Sequence, residues 1–467
     1  MTVPVLSALR GVRESSVVTA LEGAGGRISV TRRCADLAEL LGAAAAGLGR
    51  VALVPDDLPL LDREAVVLLR ESGVRVVALV DGGPRATERM LALGAEVVVD
   101  AGAPVADVVA TVLSLADPGP GPGTAGVRAV GVAGALPDPA GAPAASDAGS
   151  GDVPVGDSTV GDGAAPDGGA EGPPVPPGRT VAVWGPTGAP GRTTVAVNLA
   201  AELAALPAPG VAGGAPGALL VDADTYGGTV AQVVGLLDEA PGIAAAARAA
   251  GQGVLDVTAL ARLTPVVEPG LRVLTGISRA DRWPELPASS LDLVWETARG
   301  LAQWVVVDCG FCLEQDEVLS YDTHAPRRNA ATLSALAAAD VVVVVGGGDA
   351  VGMQRLVRGL SELADSGVAA LARRVVVVNR VRASAAGRRP EHAVRDALAR
   401  YAGVDDPHLV PDDGPAVDAA LLRGATLREA SPRSPAQASI AALAARVAGV
   451  QAHPPRARRA LRSTVRG

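Results

Sequence analysis

"GPTGAPGRTTVAVNLA", Gly185 to Ala200, follows the β-branched run "TVAVW" and leads into "TTVAVNLAAELAAL", which reads as a helix. A strand, a glycine-bearing turn and a helix in that order make a natural anion site. Backbone N–H groups of the turn and of the first helical turn supply the donors. The phosphate-loop pattern G-x-x-x-x-G-K-[ST] is met only in part. Its first glycine is Pro186 and its lysine is Arg192. Gly188 and Gly191 remain where the backbone must turn, with Ala189 and Pro190 between them. Arg192 keeps a positive charge, but a planar guanidinium does not occupy the place of a compact ammonium without readjustment. Thr193 offers a hydroxyl suited to Mg²⁺, and Thr194 a further phosphate contact.

The surrounding pattern extends this reading. "LLVDAD" ends at Asp222 and Asp224, and "WVVVDCG" at Asp308, the place of a Walker-B aspartate. Asn379 in "VVVVNRV", followed by Arg380, and Pro411–Asp412 in "LVPDDGPAVDAAL" also fall at strand ends. Ligands of open parallel sheets bind beyond the strand C-termini. A glycine turn plus four polar strand ends is far more specific than the turn alone.

Composition bounds the alternatives. The 467 residues suggest two or three domains. Aromatic residues make up only 2%, with Phe311 the single phenylalanine, so Ala, Val and Leu must pack the core. The chain contains no lysine, and Ala, Val, Gly, Leu, Arg and Pro dominate, as GC-rich codons would produce. Arginine at 192 therefore belongs to a chain-wide pattern. A net charge of −9 argues against a nucleic-acid-coating surface. Three cysteines, Cys34, Cys309 and Cys312, fit a reducing cytoplasm. No signal-peptide pattern opens the sequence, and no apolar run approaches the ~18 residues of a membrane helix. The expectation is a cytoplasmic protein, with the inner face of the membrane or a cell pole as further locations.

Five regions follow. Residues 1–15 read as an N-terminal extension. Residues 16–116 alternate strand and helix patterns, starting with "SVVTAL" and "GRISVTR" as strands, and suggest a flavodoxin-like α/β domain. Residues 117–178, dense in Pro, Gly and Asp, read as a disordered linker, with "VRAVGVAGAL" the one candidate for residual structure. Residues 179–450 carry the strands "TVAVWG", "ALLVDAD", "LRVLTG", "QWVVVDCG", "DVVVVVGG" and "RRVVVVNRV", near-continuous apolar runs typical of strands covered on both faces. Residues 451–467 are a basic tail.

The order "GPTGAPGRTT … LLVDADTYGGTVAQVVGL … WVVVDCG … ADVVVVVG … VVVVNRV … VPDDGPAVDAALLRG" resembles the ParA/MinD family of deviant Walker ATPases. Within that family it is most similar to the CpaE/TadZ branch, which joins a receiver-like domain to a MinD-like one. "LRVLTGISRADRWPEL" and "APRRNAATL" also look like that subgroup. The resemblance implies a P-loop NTPase-like, doubly wound, mainly parallel sheet, ATP or ADP with Mg²⁺, and a homodimer. It implies that Gly188 to Thr194 wrap the phosphates, that Thr193, Asp308 and Asp222 serve the metal, and that Asp224 orients the attacking water beside Arg192. Asn379, Arg380, Pro411 and Asp412 would line the adenine. Expected partners are cell-division or pilus and secretion assembly proteins.

Two departures matter. The family's lysine that crosses a dimer aligns with Thr187, and the loop lysine is Arg192. Phosphoryl transfer depends on such charges, so slow hydrolysis is expected. Arg327 and Arg328 offer a substitute cation or a solvated surface pair. In the first domain, a receiver's phospho-acceptor position falls on Pro55, with Asp56 and Asp57 shifted, and its threonine-like site is Val80. No receiver lysine exists. This reads as a pseudo-receiver used for docking or dimerisation. Cys309 and Cys312 lack the second pair of a closed zinc site. His324, His392, His408 and His453 are scattered. The tail could touch anionic lipid or nucleic acid, but it lacks aromatics and follows Pro454–Pro455. Three function classes result: an ATP-binding positioning protein, a non-catalytic scaffold, and an active partitioning ATPase, the last disfavoured by acidity and by Thr187.

Overall fold

The computed structural model describes residues 2–116, 128–130, 177–206, 217–236, 242–315 and 326–450. They form two α/β units, each around its own sheet. The first sheet comprises β1 (Val3–Ser7), β2 (Ile28–Arg33), β3 (Val51–Pro55), β4 (Arg75–Val80), β5 (Val97–Asp100) and β6 (Arg128–Val130). Its order is β2-β1-β3-β4-β5-β6 and all pairings are parallel. Strands 2-1-3-4-5 give one of the two common doubly wound layouts.

Three expectations change here. The proposed extension 1–15 contains β1, which lies between β2 and β3 inside the sheet. Pro4 disguises it, because a proline argues against a central strand. Pairing with β3 begins one residue later, at Val5, so the missing N–H is tolerated. "SVVTAL" is not a strand but part of the helix Gly11–Glu22. Val17 and Leu21, one turn apart, are both fully buried, so tertiary packing overrides the β-branched preference. Finally, β6 falls inside the segment read as linker and extends the sheet edge beside β5. The rest of 117–176 and the tail 451–467 lie outside the described residues.

The second sheet comprises β7 (Arg179–Trp184), β8 (Ala218–Ala223), β9 (Val266–Glu268), β10 (Leu271–Leu274), β11 (Trp304–Cys309), β12 (Val341–Gly347), β13 (Arg373–Val381) and β14 (His408–Pro411). Its order is β14-β13-β12-β7-β11-β8-β10-β9, parallel except for the β9–β10 pair. The six expected strands are all present, and β9 and β14 complete the edges. β7 and β11 are wholly buried apart from Arg179. Helices cover both faces. Trp184 and Trp295 are packed on one side, and the helix Arg192–Ala204 is buried on the other. β7 lies between β11 and β12, both later in sequence, so the chain returns to both sides of it. The crevice beyond its C-terminus is therefore flanked by loops from both halves of the sheet.

The two units touch. Arg63 Nε donates to the Ser289 carbonyl at 2.8 Å, while its Nη1 holds the Ala92 carbonyl at 2.6 Å. Arg89 Nε donates to the Gln252 carbonyl at 3.2 Å and Nη1 to that of Asp56 at 2.9 Å. Gly253, at φ +70°, allows close approach: a Cβ there would lie 2.8 Å from the Arg89 carbonyl oxygen.

Candidate functional site

The turn after β7 is built for backbone exposure. Gly188 (φ 70°) and Gly191 (φ 76°) are left-handed, a conformation that costs other residues roughly 1 kcal/mol or more. Gly191 caps the helix Arg192–Ala204 with no side chain bonded to its first-turn N–H groups. Those orphan donors and the helix dipole favour an anion. A Cβ on Gly191 would also run into the Asn379 amide. Asn379 Nδ2 donates to the Pro190 carbonyl at 3.0 Å, tying the turn to the end of β13.

Below the turn stand three carboxylates. Asp222 and Asp308 are direct partners across β8 and β11. Thr193 Oγ1 donates to Asp308 Oδ2 at 2.6 Å, and Asp308 Oδ1 is buried with no hydrogen-bond partner. Burial, reinforced by the neighbouring Asp222 charge, pushes the Asp308 carboxyl up to about 8. Burial likewise lifts Asp222, to about 6, against two backbone donors. Those donors are Asp224 N at 3.2 Å and Val230 N at 3.1 Å. Asp222 thus has both oxygens committed to shaping the 224–230 loop, and its effect on Asp308 is through charge.

Asp224 faces the loop cation. Arg192 Nη2 donates to Asp224 Oδ2 at 2.8 Å, and Nη1 to the Gly185 carbonyl at 3.3 Å. The other Asp224 oxygen accepts from Tyr226 N at 2.9 Å. Arg328 is not a solvated surface group: its guanidinium carbon sits 4.3 Å over the Tyr226 ring. Tyr226 donates to Asn329 Oδ1 at 2.8 Å, and Asn329 Nδ2 reaches Cys312 Sγ at 3.3 Å. Burial, then the Cys312 contact, pushes the Tyr226 hydroxyl up to about 12. Cys309 and Cys312 are both free thiols. The sequence signals neither the Tyr226–Asn329 link nor the Arg328 stack.

The expected adenine set comes together. A cavity of about 250 Å³ is lined by Gly191, Thr194, Asn379, Arg380, Pro411 and Asp412, among others. It falls below the roughly 300–1,000 Å³ of whole-ligand pockets and suits one ring rather than an entire nucleotide. Arg380 has φ 55°, one of two described non-glycine residues in left-handed conformation. Such strain concentrates at ligand clamps. Asp412 N donates to the Val381 carbonyl at 3.1 Å, fixing the β14 loop to β13.

The residues fit a magnesium nucleotide. The turn is a cradle that added Cβ atoms would obstruct, and the orphaned Asp308 oxygen beside the Thr193 hydroxyl offers hard oxygen ligands. Among the described residues, no three His, Cys, Asp or Glu side chains gather into a metal-holding group, so phosphate or water would have to complete any cation shell. No described helix is long and apolar enough to cross a membrane.

Fold and turn together define a doubly wound α/β unit with a glycine turn leading into an uncapped helix N-terminus beyond its central strand. No family model matches the chain, and no curated protein matches it. Solved structures do. A ParA family ATPase from Chlorobium tepidum TLS is 17% identical, covering 57% of this chain and 98% of its own, with TM-score 0.47. The cell division ATPase MinD of Pyrococcus furiosus is 18% identical over 58% of this chain and 99% of its own, TM-score 0.44. The septum site-determining protein MinD of Pyrococcus horikoshii OT3, complexed with Mg-ADP, is 17% identical over 58% and 95%, TM-score 0.43.

Proposed function

We propose that residues 179–450 bind ATP or ADP with Mg²⁺ and that the chain is a spatial regulator of the MinD/CpaE type with slow hydrolysis. The observation that carries this reading is the Thr193–Asp308 hydrogen bond beneath a turn with two left-handed glycines. Thr193 and Asp308 would hold the cation, the turn the phosphates, and the cavity beside Asn379 and Pro411 the base. Mg²⁺ would neutralise the phosphates and polarise the bond to be broken. Asp224 would orient water once Arg192 turns to the phosphates.

The resemblance of the sequence to the CpaE/TadZ branch supports action in septum-site selection or in placing a Tad/Flp pilus assembly, as a homodimer with assembly proteins as partners. The first unit serves as a pseudo-receiver. Ala8, Leu9 and Arg10 follow β1, so no carboxylate stands there for a metal, and Pro55 occupies the acceptor position.

The test is the melting temperature of the full chain with and without Mg-ATP. A ligand at one hundred times its Kd adds about 2.7 kcal/mol. Thr193→Ala should lose the Mg²⁺-dependent part. No shift at saturating Mg-ATP would leave the non-catalytic scaffold in its place.

A further inference from the structure

The loop has two ends. The 250 Å³ cavity opens at the Gly191–Thr194 end. A separate groove of about 660 Å³ opens at the Pro186–Thr187 end, lined also by Phe311, Glu314 and Arg355. Arg355 belongs to the helix Ala350–Ser366.

This helix is seated against the loop at a glycine. A Cβ on Gly359 would lie 2.9 Å from the Pro186 ring, so only glycine admits the proline there. Arg355, four residues earlier, projects from the same helix face. Its guanidinium lies over the loop: a Cβ on Gly188 would run into Nη1 and come within 3.1 Å of Cζ. Among the described residues Arg355 makes no hydrogen bond or ion pair, whereas its neighbour Arg358 pairs with Glu362 at 3.6 Å. An exposed, uncommitted cation therefore stands where the loop's own sequence has Thr187 in place of a charge.

We propose that Arg355 supplies, within the same chain, the positive charge for the terminal phosphate of a bound nucleoside triphosphate. This rests on the nucleotide-binding reading above. With the base beside Asn379, the phosphates run back along the turn from Thr194 to Gly188 and end at Arg355. Pro186, Thr187, Gly359 and Arg355 then form one arrangement. The proline docks the helix, the glycine receives it, and the helix delivers the charge that Thr187 lacks. A guanidinium suits this task because it can grip two phosphate oxygens at once.

The experiment compares Kd for Mg-ATP and Mg-ADP on the full chain, in wild type and in Arg355→Ala, Arg355→Lys and Arg358→Ala. Arg355→Ala should weaken ATP about tenfold or more and ADP by much less, as losing a charge-assisted hydrogen bond implies. Arg355→Lys should recover part of that loss, and Arg358→Ala should bind like wild type. Equal weakening of both nucleotides, or none, overturns the role of Arg355 while leaving nucleotide binding intact. Wild-type protein that binds neither nucleotide overturns both.

Discussion

Arg192 and Asp224 form an ion pair at 2.8 Å with side chains only 13% and 8% exposed. The loop cation is thus held by the carboxylate that the resemblance makes water-orienting. A phosphate entering the turn must compete with Asp224 for the same guanidinium. Removing one partner of a buried pair leaves the other uncompensated and costs about 3 kcal/mol or more. Asp224→Asn should therefore melt well below wild type without ligand. Saturating Mg-ADP should restore much of the loss, because the nucleotide supplies the missing anion. Calorimetry should show tighter ADP binding than wild type. A variant that melts like wild type without ligand would mean the pair contributes little.

Asp308 separates stability from metal use. It is fully buried beside Asp222, one of its oxygens has no donor, and burial already favours its neutral form. Asp308→Asn keeps the shape without a buried charge. The ligand-free melting temperature should stay within a few degrees of wild type or rise. The additional stabilisation by Mg²⁺ over EDTA in the presence of ATP should disappear. A retained Mg²⁺ increment would remove Asp308 from the cation site.

His408 gives a pH signature away from the loop. Its Nε2 lies 2.9 Å from the Ser439 carbonyl oxygen and 3.1 Å from Ser439 Oγ. Burial lowers its pKa from 6.5, helped by Arg446 and opposed by the Ser439 contact and Asp406. A base depressed in the folded state leaves the unfolded chain holding more protons at acid pH. The associated stability is present above 6.5 and is lost as pH falls from there through the folded value. His408→Gln should flatten the dependence of melting temperature on pH as the pH falls below about 6.5. An unchanged slope would assign the acid sensitivity elsewhere.

Between the two α/β units, Arg63 and Arg89 cross by side chain to the Ser289 and Gln252 carbonyls. The double variant Arg63→Ala, Arg89→Ala removes both while leaving the two sheets untouched. Hydrogen exchange in the helix Gly242–Gly251 should accelerate, and small-angle scattering should report a larger radius of gyration. Scattering curves that superimpose on wild type would show that apolar packing near Leu93 and Gly253 suffices.

Where a strand is covered on both faces, its sequence is nearly pure Val and Leu, which is why β7, β8 and β10 to β13 are legible without coordinates. β1 is not, because Pro4 stands in a run only five residues long. The helix Gly11–Glu22 hides for the opposite reason, its "SVVT" being strand-like until burial of Val17 and Leu21 reveals the helical period. The candidate site residues lie at or just beyond strand ends and are legible by that position. Arg355 is not, because nothing local marks an arginine in a polar helix. Its one trace is Gly359, a glycine inside a helical pattern that signals a close approach.

The departures at 187 and 192 make the last prediction. Arg192 Nε is buried without an acceptor, while Nη1 and Nη2 stretch to Gly185 and Asp224. A lysine ammonium concentrates its charge at one point and carries no such orphaned donor. Thr187 is exposed and uncharged. On the proposal above Arg355 grips the terminal phosphate of bound triphosphate; a further cation acting in the transition state is worth on the order of 10²-fold in rate. Thr187→Lys with Arg192→Lys should therefore raise steady-state ATP hydrolysis, by about tenfold or more if both charges reach the phosphates. Arg192→Lys alone should change binding little, since the backbone turn does most of the holding. The comparison begins with wild type. Turnover already equal to that of the double-lysine variant would mean that the sequence "GPTGAPGRTT" is fully compensated by charges elsewhere, and that slow hydrolysis is the wrong reading of it.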